Sequence, residues 1–244
     1  MVATETKMSA RPELVALACL LSFAAPLFSR LSDDAYEAAV ADDAWAAFEL
    51  EAAGLFRDEA KRVRLLSALE PLDPGAYAAF RNEVLVAGMP FSVLPVESLY
   101  KRWSEREGNA FGAARGLYLG DSARHMMALY QELELEVPQE FASMPDHLSL
   151  ELEVLALFLE AGNHAAARTF AAEHLDWLAD YDEALAGKAE AVATNELFSD
   201  ERRLATGRGI AFLRALLVVV EQAIALATCN EAAGAEARVG WAIA

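Results

Sequence analysis

The chain has 244 residues, 55% hydrophobic and 24% charged, enough to bury one large core or two closely packed halves. Twenty Lys and Arg face 38 Asp and Glu, and the formal charge of −18 repels phosphate backbones and anionic membrane surfaces. Nucleic acid is thereby disfavoured as a partner, whereas a basic segment of another protein is attracted over a reach of about 8 Å at physiological salt.

Alanine and leucine dominate, isoleucine occurs only at 210, 224 and 243, and no stretch sustains period-two alternation, so the residue pattern predicts an all-α fold. Residues 14–28 are apolar and follow Lys7 and Arg11, but Pro12 and Glu13 mark the first turn of a core helix rather than a secretory leader. Cys19 lies in that run and is expected to act as a small buried hydrophobe. With Cys229 it forms no paired motif, which suits a reducing cytoplasm and offers neither a disulfide framework nor a zinc site. Ser32-Asp33 cap a helix expected to reach about residue 53, residues 57–69 form the next, and Asp73-Pro74 start one ending near Gly88.

A proline-flanked loop, 89–95, precedes a short helix opened by Pro95 and running through Trp103. Gly116 to Gly120 break the chain, and Asp121-Ser122 cap the helix that carries His125 and Tyr130. A loop over 136–144 leads into a helix over 145–161. Gly162 stops that helix, and Asn163 restarts the chain toward Trp177. Ser199-Asp200 begin a long last helix. Its apolar span 210–227 carries Arg214 and Glu221, each costing about 2.5–3.5 kcal/mol at the centre of a bilayer, so it reads as a buried helix. Residues 1–244 form one all-helical domain in this reading. Its ends, about 1–10 and 231–244, are expected to be flexible, and hinges are placed near 104–120 and 136–144.

Two segments carry the candidate chemistry. In Pro145-Asp146-His147-Leu148-Ser149-Leu150-Glu151, helical spacing puts His147 and Glu151 one turn apart. Ser143 and Asp146 fit a capping pattern, which allows Asp146 to be a cap and His147 a core histidine held by Glu151. The same geometry allows the Asp146 carboxylate, beside a loop, to accept a bidentate pair of bonds from an arginine, each such contact contributing about 1.5–3 kcal/mol. In Pro95-Val96-Glu97-Ser98-Leu99-Tyr100, with Trp103 following, Tyr100 and Trp103 stand on one side of a short helix. They are either half-buried packing residues or an aromatic ridge for a peptide.

These segments resemble the TorD/DmsD/NarJ family of redox-enzyme maturation chaperones, helical proteins that bind twin-arginine leaders and hold molybdoenzyme precursors. The late helix of that family, P-(E)-D-H-x-x-x-x-L, is matched by Pro145-Asp146-His147 with Glu151-Leu152, and its P-x-x-S-V/L-Y/W element by residues 95–100. Gly120-Asp121-Ser122 is similar to a Gly-Asp-Ser the family often has between them. Leu85-Val86-Ala87-Gly88, the opening run Leu20 to Pro26, and His174-Leu175-Asp176-Trp177 extend the likeness over about residues 14–177.

The resemblance implies a cytoplasmic chaperone, not an enzyme, whose partner is the precursor of a molybdoenzyme catalytic subunit with its twin-arginine signal peptide. It implies no cofactor, no stable membrane insertion, and a monomer or homodimer. By the same resemblance Pro145, Asp146 and His147 sit at the leader-binding site and Tyr100, Trp103 and Phe23 line its apolar wall. Pro95, Glu97 and Glu151 complete the candidate peptide-binding set. The competing reading is a metal-dependent hydrolase using His147 and Glu151. Histidines 125, 164 and 174 show no matching ligand spacing for it, so no metal ligands are assigned.

Overall fold

A computed structural model describes residues 11–229; the expected flexible ends at 1–10 and 231–244 lie outside the described residues. The elements are α1 (Pro12–Ala24), α2 (Asp33–Ala39), α3 (Asp42–Gly54), α4 (Glu59–Ala68), α5 (Pro74–Val84), α6 (Glu97–Tyr100), α7 (Asp121–Glu132), α8 (Leu148–Glu160), α9 (His164–His174), α10 (Leu178–Ala193) and α11 (Asp200–Thr228). Short 3-10 turns follow α1 at Ala25–Phe28 and precede α8 at Gln139–Phe141. The all-α class expected from composition is what the chain forms.

The long α11 is the axis of the bundle, with α5, α10, α1, α9 and α4 against it and α8 packed on α1. Its stripe Ala205, Gly209, Phe212, Leu216, Val220, Ala223 and Ala227 recurs every three or four residues and is buried, as a core-facing helix requires. By length and composition α11 is apolar enough to cross a membrane; here much of it is packed inside the bundle. Arg214, the charge that argued against a span, is held bidentately by Asp182 of α10 at 2.7 and 2.8 Å. Gly209 lets α5 approach, because a Cβ there would fall on the Phe80 ring.

Several boundaries move from their expected places. The helix begun by Ser32, whose Oγ accepts the Ala35 N–H at 3.2 Å, breaks after Ala39 and restarts at Asp42. Asp42 and Asp43 favour that restart, since carboxylates stabilise a first turn and not a helix interior. The short helix is α6 alone and ends at Tyr100, so Trp103 is not on it. Gly120, not Asp121, occupies the cap position of α7, where a Cβ would lie 2.8 Å from the Trp103 carbonyl. The helix expected over 145–161 starts only at Leu148, with His147 as its cap. Cys19, expected to be buried, is exposed on the outer face of α1.

Candidate functional site

The two candidate segments meet, although about 50 residues separate them. Val96 and His147 form an isolated antiparallel bridge. The Leu148 N–H donates to the Pro95 carbonyl at 2.9 Å and the Glu97 N–H to the Asp146 carbonyl at 3.0 Å. The Asp146 carboxylate then accepts both the N–H (2.7 Å) and the hydroxyl of Ser98, whose Oγ also takes the Gly120 N–H at 3.3 Å. From the other side the Tyr130 hydroxyl donates to the Pro145 carbonyl at 2.7 Å. Pro95, and Pro145 in the turn that the His147 N–H closes on the Met144 carbonyl, thus supply buried carbonyl acceptors without needing donors of their own.

This knot corrects the expected open helix entrance. Asp146 is 0% exposed, and burial pushes its carboxyl up against the lowering effect of the Ser98 bonds. It fastens the 95–98 segment to the start of α8, and it lines neither the cavity beside His147 nor the cleft beside His174. An arginine from outside therefore has no direct approach to this carboxylate in the folded arrangement.

His147 is placed differently. It is 4% exposed, its Nδ1 accepts the Ser149 N–H at 3.2 Å, and its ring lies 4.9 Å from that of Phe141. Burial drives its pKa down to about 3, so the ring is neutral near pH 7. Its edge lines a cavity of about 600 Å³. Apolar walls come from Phe28, Leu31, Leu94, Tyr118, Leu119 and Phe141, with Glu140 and Arg30 among the polar lining. Beside it Leu117, Tyr118 and Leu119 expose 38–42% of their surface, an apolar run in a Gly116–Gly120 loop. Leu119 has φ 61°, a left-handed conformation rare for leucine, and the Trp103 indole N–H holds this turn through the Tyr118 carbonyl at 3.0 Å.

The remaining candidates lie elsewhere. Tyr100 stacks on Trp177 with centroids 5.1 Å apart and meets Tyr181 edge-on, while Trp103 packs on Phe111 beneath the Arg124 guanidinium. The two therefore form no shared ridge, because α6 ends between them. Phe23 joins Trp45 and Phe48, where α1 meets α3, and does not line the cavity.

Glu97 and Glu151 belong to a second cluster. Glu97, 0% exposed, bonds His174 Nδ1 at 2.8 Å through Oε2 and Lys101 Nζ at 2.8 Å through Oε1. Burial and the neighbouring Glu97 charge raise the Glu151 carboxyl well above the ordinary range. Neither Glu151 carboxyl oxygen has a hydrogen-bond partner among the described residues, so it does not hold the His147 ring, and Glu151 converges on Glu97 and His174 rather than on His147 as the hydrolase reading requires.

Sequence reasoning missed Tyr118, Leu119, Glu140, Phe141, Phe28 and Leu31. An apolar triplet bracketed by glycines in a loop was the available signal, since exposed apolar runs mark contact surfaces. It also missed that His174 Nε2 lies 2.8 Å from His125 Nδ1.

A family model described as nitrate reductase delta subunit matches residues 56–191, more than half of the chain, and that span contains both segments of the knot. No curated protein and no solved structure matches the chain.

Proposed function

Because the chain belongs to the nitrate reductase delta subunit family, a family of molybdoenzyme maturation chaperones, we propose that it is a cytoplasmic chaperone that binds a molybdenum oxidoreductase precursor through the cavity floored by His147. It acts by binding, without catalysis. One observation supports this reading above the others: an apolar cavity of about 600 Å³, continuous with the exposed Leu117–Leu119 run, sits directly on the knot made by the two sequence motifs. Such a concave apolar surface suits the hydrophobic stretch of a leader segment.

In this proposal the roles are redistributed. His147 and Phe141 form the floor, Tyr118 and Leu119 the wall, and Pro95, Pro145 and Asp146 hold the floor in place. Glu140, exposed at the rim, takes the place first given to Asp146 as the carboxylate that meets a leader arginine. The segments 104–120 and 136–144, expected as hinges, carry Tyr118–Leu119 and Glu140–Met144, so their movement would widen or narrow the opening.

The test is calorimetric titration of the full chain with a peptide that has paired arginines before an apolar run. Micromolar or tighter binding is expected. Glu140→Gln should weaken it about tenfold or more, matching loss of one charge-assisted bond of about 1.5–3 kcal/mol. Leu119→Asp should weaken it comparably, and the left-handed backbone tolerates Asp. Glu51→Gln, on the exposed surface of α3, serves as control. Equal losses from Glu51→Gln and Glu140→Gln would reduce the effect to bulk charge. Capture of a leaderless oxidoreductase subunit, without peptide binding, would move recognition to the mature body, and failure of both sinks the proposal.

A further inference from the structure

The cluster around His174 has a construction that peptide binding does not use. We propose that His125, His174 and Glu173 form a site for a divalent transition-metal ion of the zinc type, with Glu97 orienting His174 from behind. One ligand atom from each of the three lies within 4.8 Å of the other two. His125 projects from α7, and Glu173 and His174 come from the last turn of α9, so an ion here would tie the two helices together.

Three observations converge on the site. The first is the pairing of His174 with Glu97. The ring is 2% exposed, and an oxygen of the completely buried Glu97 lies 2.8 Å from its Nδ1; a carboxylate placed there accepts an Nδ1 proton and favours the tautomer whose Nε2 lone pair faces His125. A carboxylate behind an imidazole is the usual support of a metal-bound histidine, setting its ring angle and raising its basicity. The Lys101 ammonium lies 2.8 Å from the second oxygen of Glu97 and balances the charge of that buried carboxylate.

The second is spacing. Two imidazole nitrogens 2.8 Å apart share either a proton or a cation. Tetrahedral zinc at about 2.0–2.1 Å from each nitrogen requires about 3.3 Å between them. Only about half an ångström of opening is needed, and His125 is exposed and able to supply it. The third is the electrostatic setting. The cleft in front of these residues, about 630 Å³, is lined by six carboxylates against the three cations Lys101, Arg102 and Arg115. Two imidazoles and a carboxylate select zinc-like ions over calcium or magnesium, and a fourth position faces the cleft for water or a partner's side chain.

The site differs from the sequence reading, which assigned no metal ligands. The histidines are 49 residues apart, and they meet where α7 packs on α6, whose Glu97 holds His174.

The test uses the full chain stripped with a chelator and needs no client. Zinc titration should show one equivalent bound at micromolar affinity or tighter, and cobalt should give the visible absorption of a tetrahedral nitrogen-oxygen site. His125→Ala, an exposed helical substitution that leaves the core intact, should abolish stoichiometric binding and the zinc-dependent rise in melting temperature. Glu97→Gln should weaken zinc about 10–100-fold if it folds. Binding unchanged by His125→Ala, binding lost instead with Cys19→Ser and Cys229→Ser, or no stoichiometric binding at all would each overturn the assignment.

Discussion

His147 does two tasks with one ring: it caps α8 through Nδ1 and floors the cavity. A cap of this kind works only while the ring is neutral. Its folded pKa of about 3 lies below the ordinary 6.5, so the unfolded chain binds the proton first. The stability it contributes is complete above pH 6.5 and is lost as pH falls toward 3, at up to about 1.4 kcal/mol per pH unit. His147→Asn keeps a capping oxygen without a titrating ring. The variant should therefore lose less stability than the wild type between pH 7.5 and 5, read as the shift in urea midpoint; parallel pH profiles would count against this role. Glu151 has the opposite sign. Its folded pKa is raised, so its contribution is present at low pH and declines as pH rises through that value. At this scale the sequence was informative about which residues matter and misleading about what they face. Pro145-Asp146-His147 and Pro95-to-Tyr100 were both visible as motifs, but nothing local says that the Asp146 carboxylate points inward to Ser98 while its neighbour His147 points out to a cavity.

Among the helices, α11 does most to fix the arrangement, and α5 packs on it at Gly209 so tightly that a Cβ there would overlap the Phe80 ring. Alanine is the better helix former by about 1 kcal/mol, so propensity alone predicts that Gly209→Ala stabilises. The structure reverses this, because Phe80 is fully buried and its ring has nowhere to turn from the added methyl. We expect Gly209→Ala to destabilise by about 1–3 kcal/mol in denaturant titration, and Gly207→Ala, which meets nothing, to be neutral or stabilising. Helix starts were legible where a side-chain cap exists: Ser32, Asp73, Asn163 and Ser199 each accept a backbone N–H as their identities suggest. The starts at Asp42 and Leu178, which have neither a side-chain cap nor a proline in the first turn, were not, and α10 went unmarked. The short α6 was overextended to Trp103 because the chain there turns away to make tertiary hydrogen bonds, such as the Trp103 N–H to the Ala114 carbonyl at 2.8 Å.

Taken as a whole, the chain has a formal charge of −18, and although Glu83, Glu97, Asp146 and Glu151 are buried, most of the described carboxylates lie toward the surface, so their field acts on a basic partner before contact. Association with an arginine-bearing leader should consequently slow as salt is raised from 50 to 300 mM (about a threefold change in Debye length or less), while dissociation, set by the apolar cavity, changes little. Stopped-flow rates at the two salt concentrations separate these contributions, and a salt effect confined to dissociation would argue against steering. The bridge between Val96 and His147 has a consequence of its own. Its two sides are far apart along the chain, and the hollow they support does not exist until both have been brought together across the intervening loop and α7. On the function proposed above, a copy in which these two sides have not met would lack the surface that receives a client, which ties competence to completion of the fold.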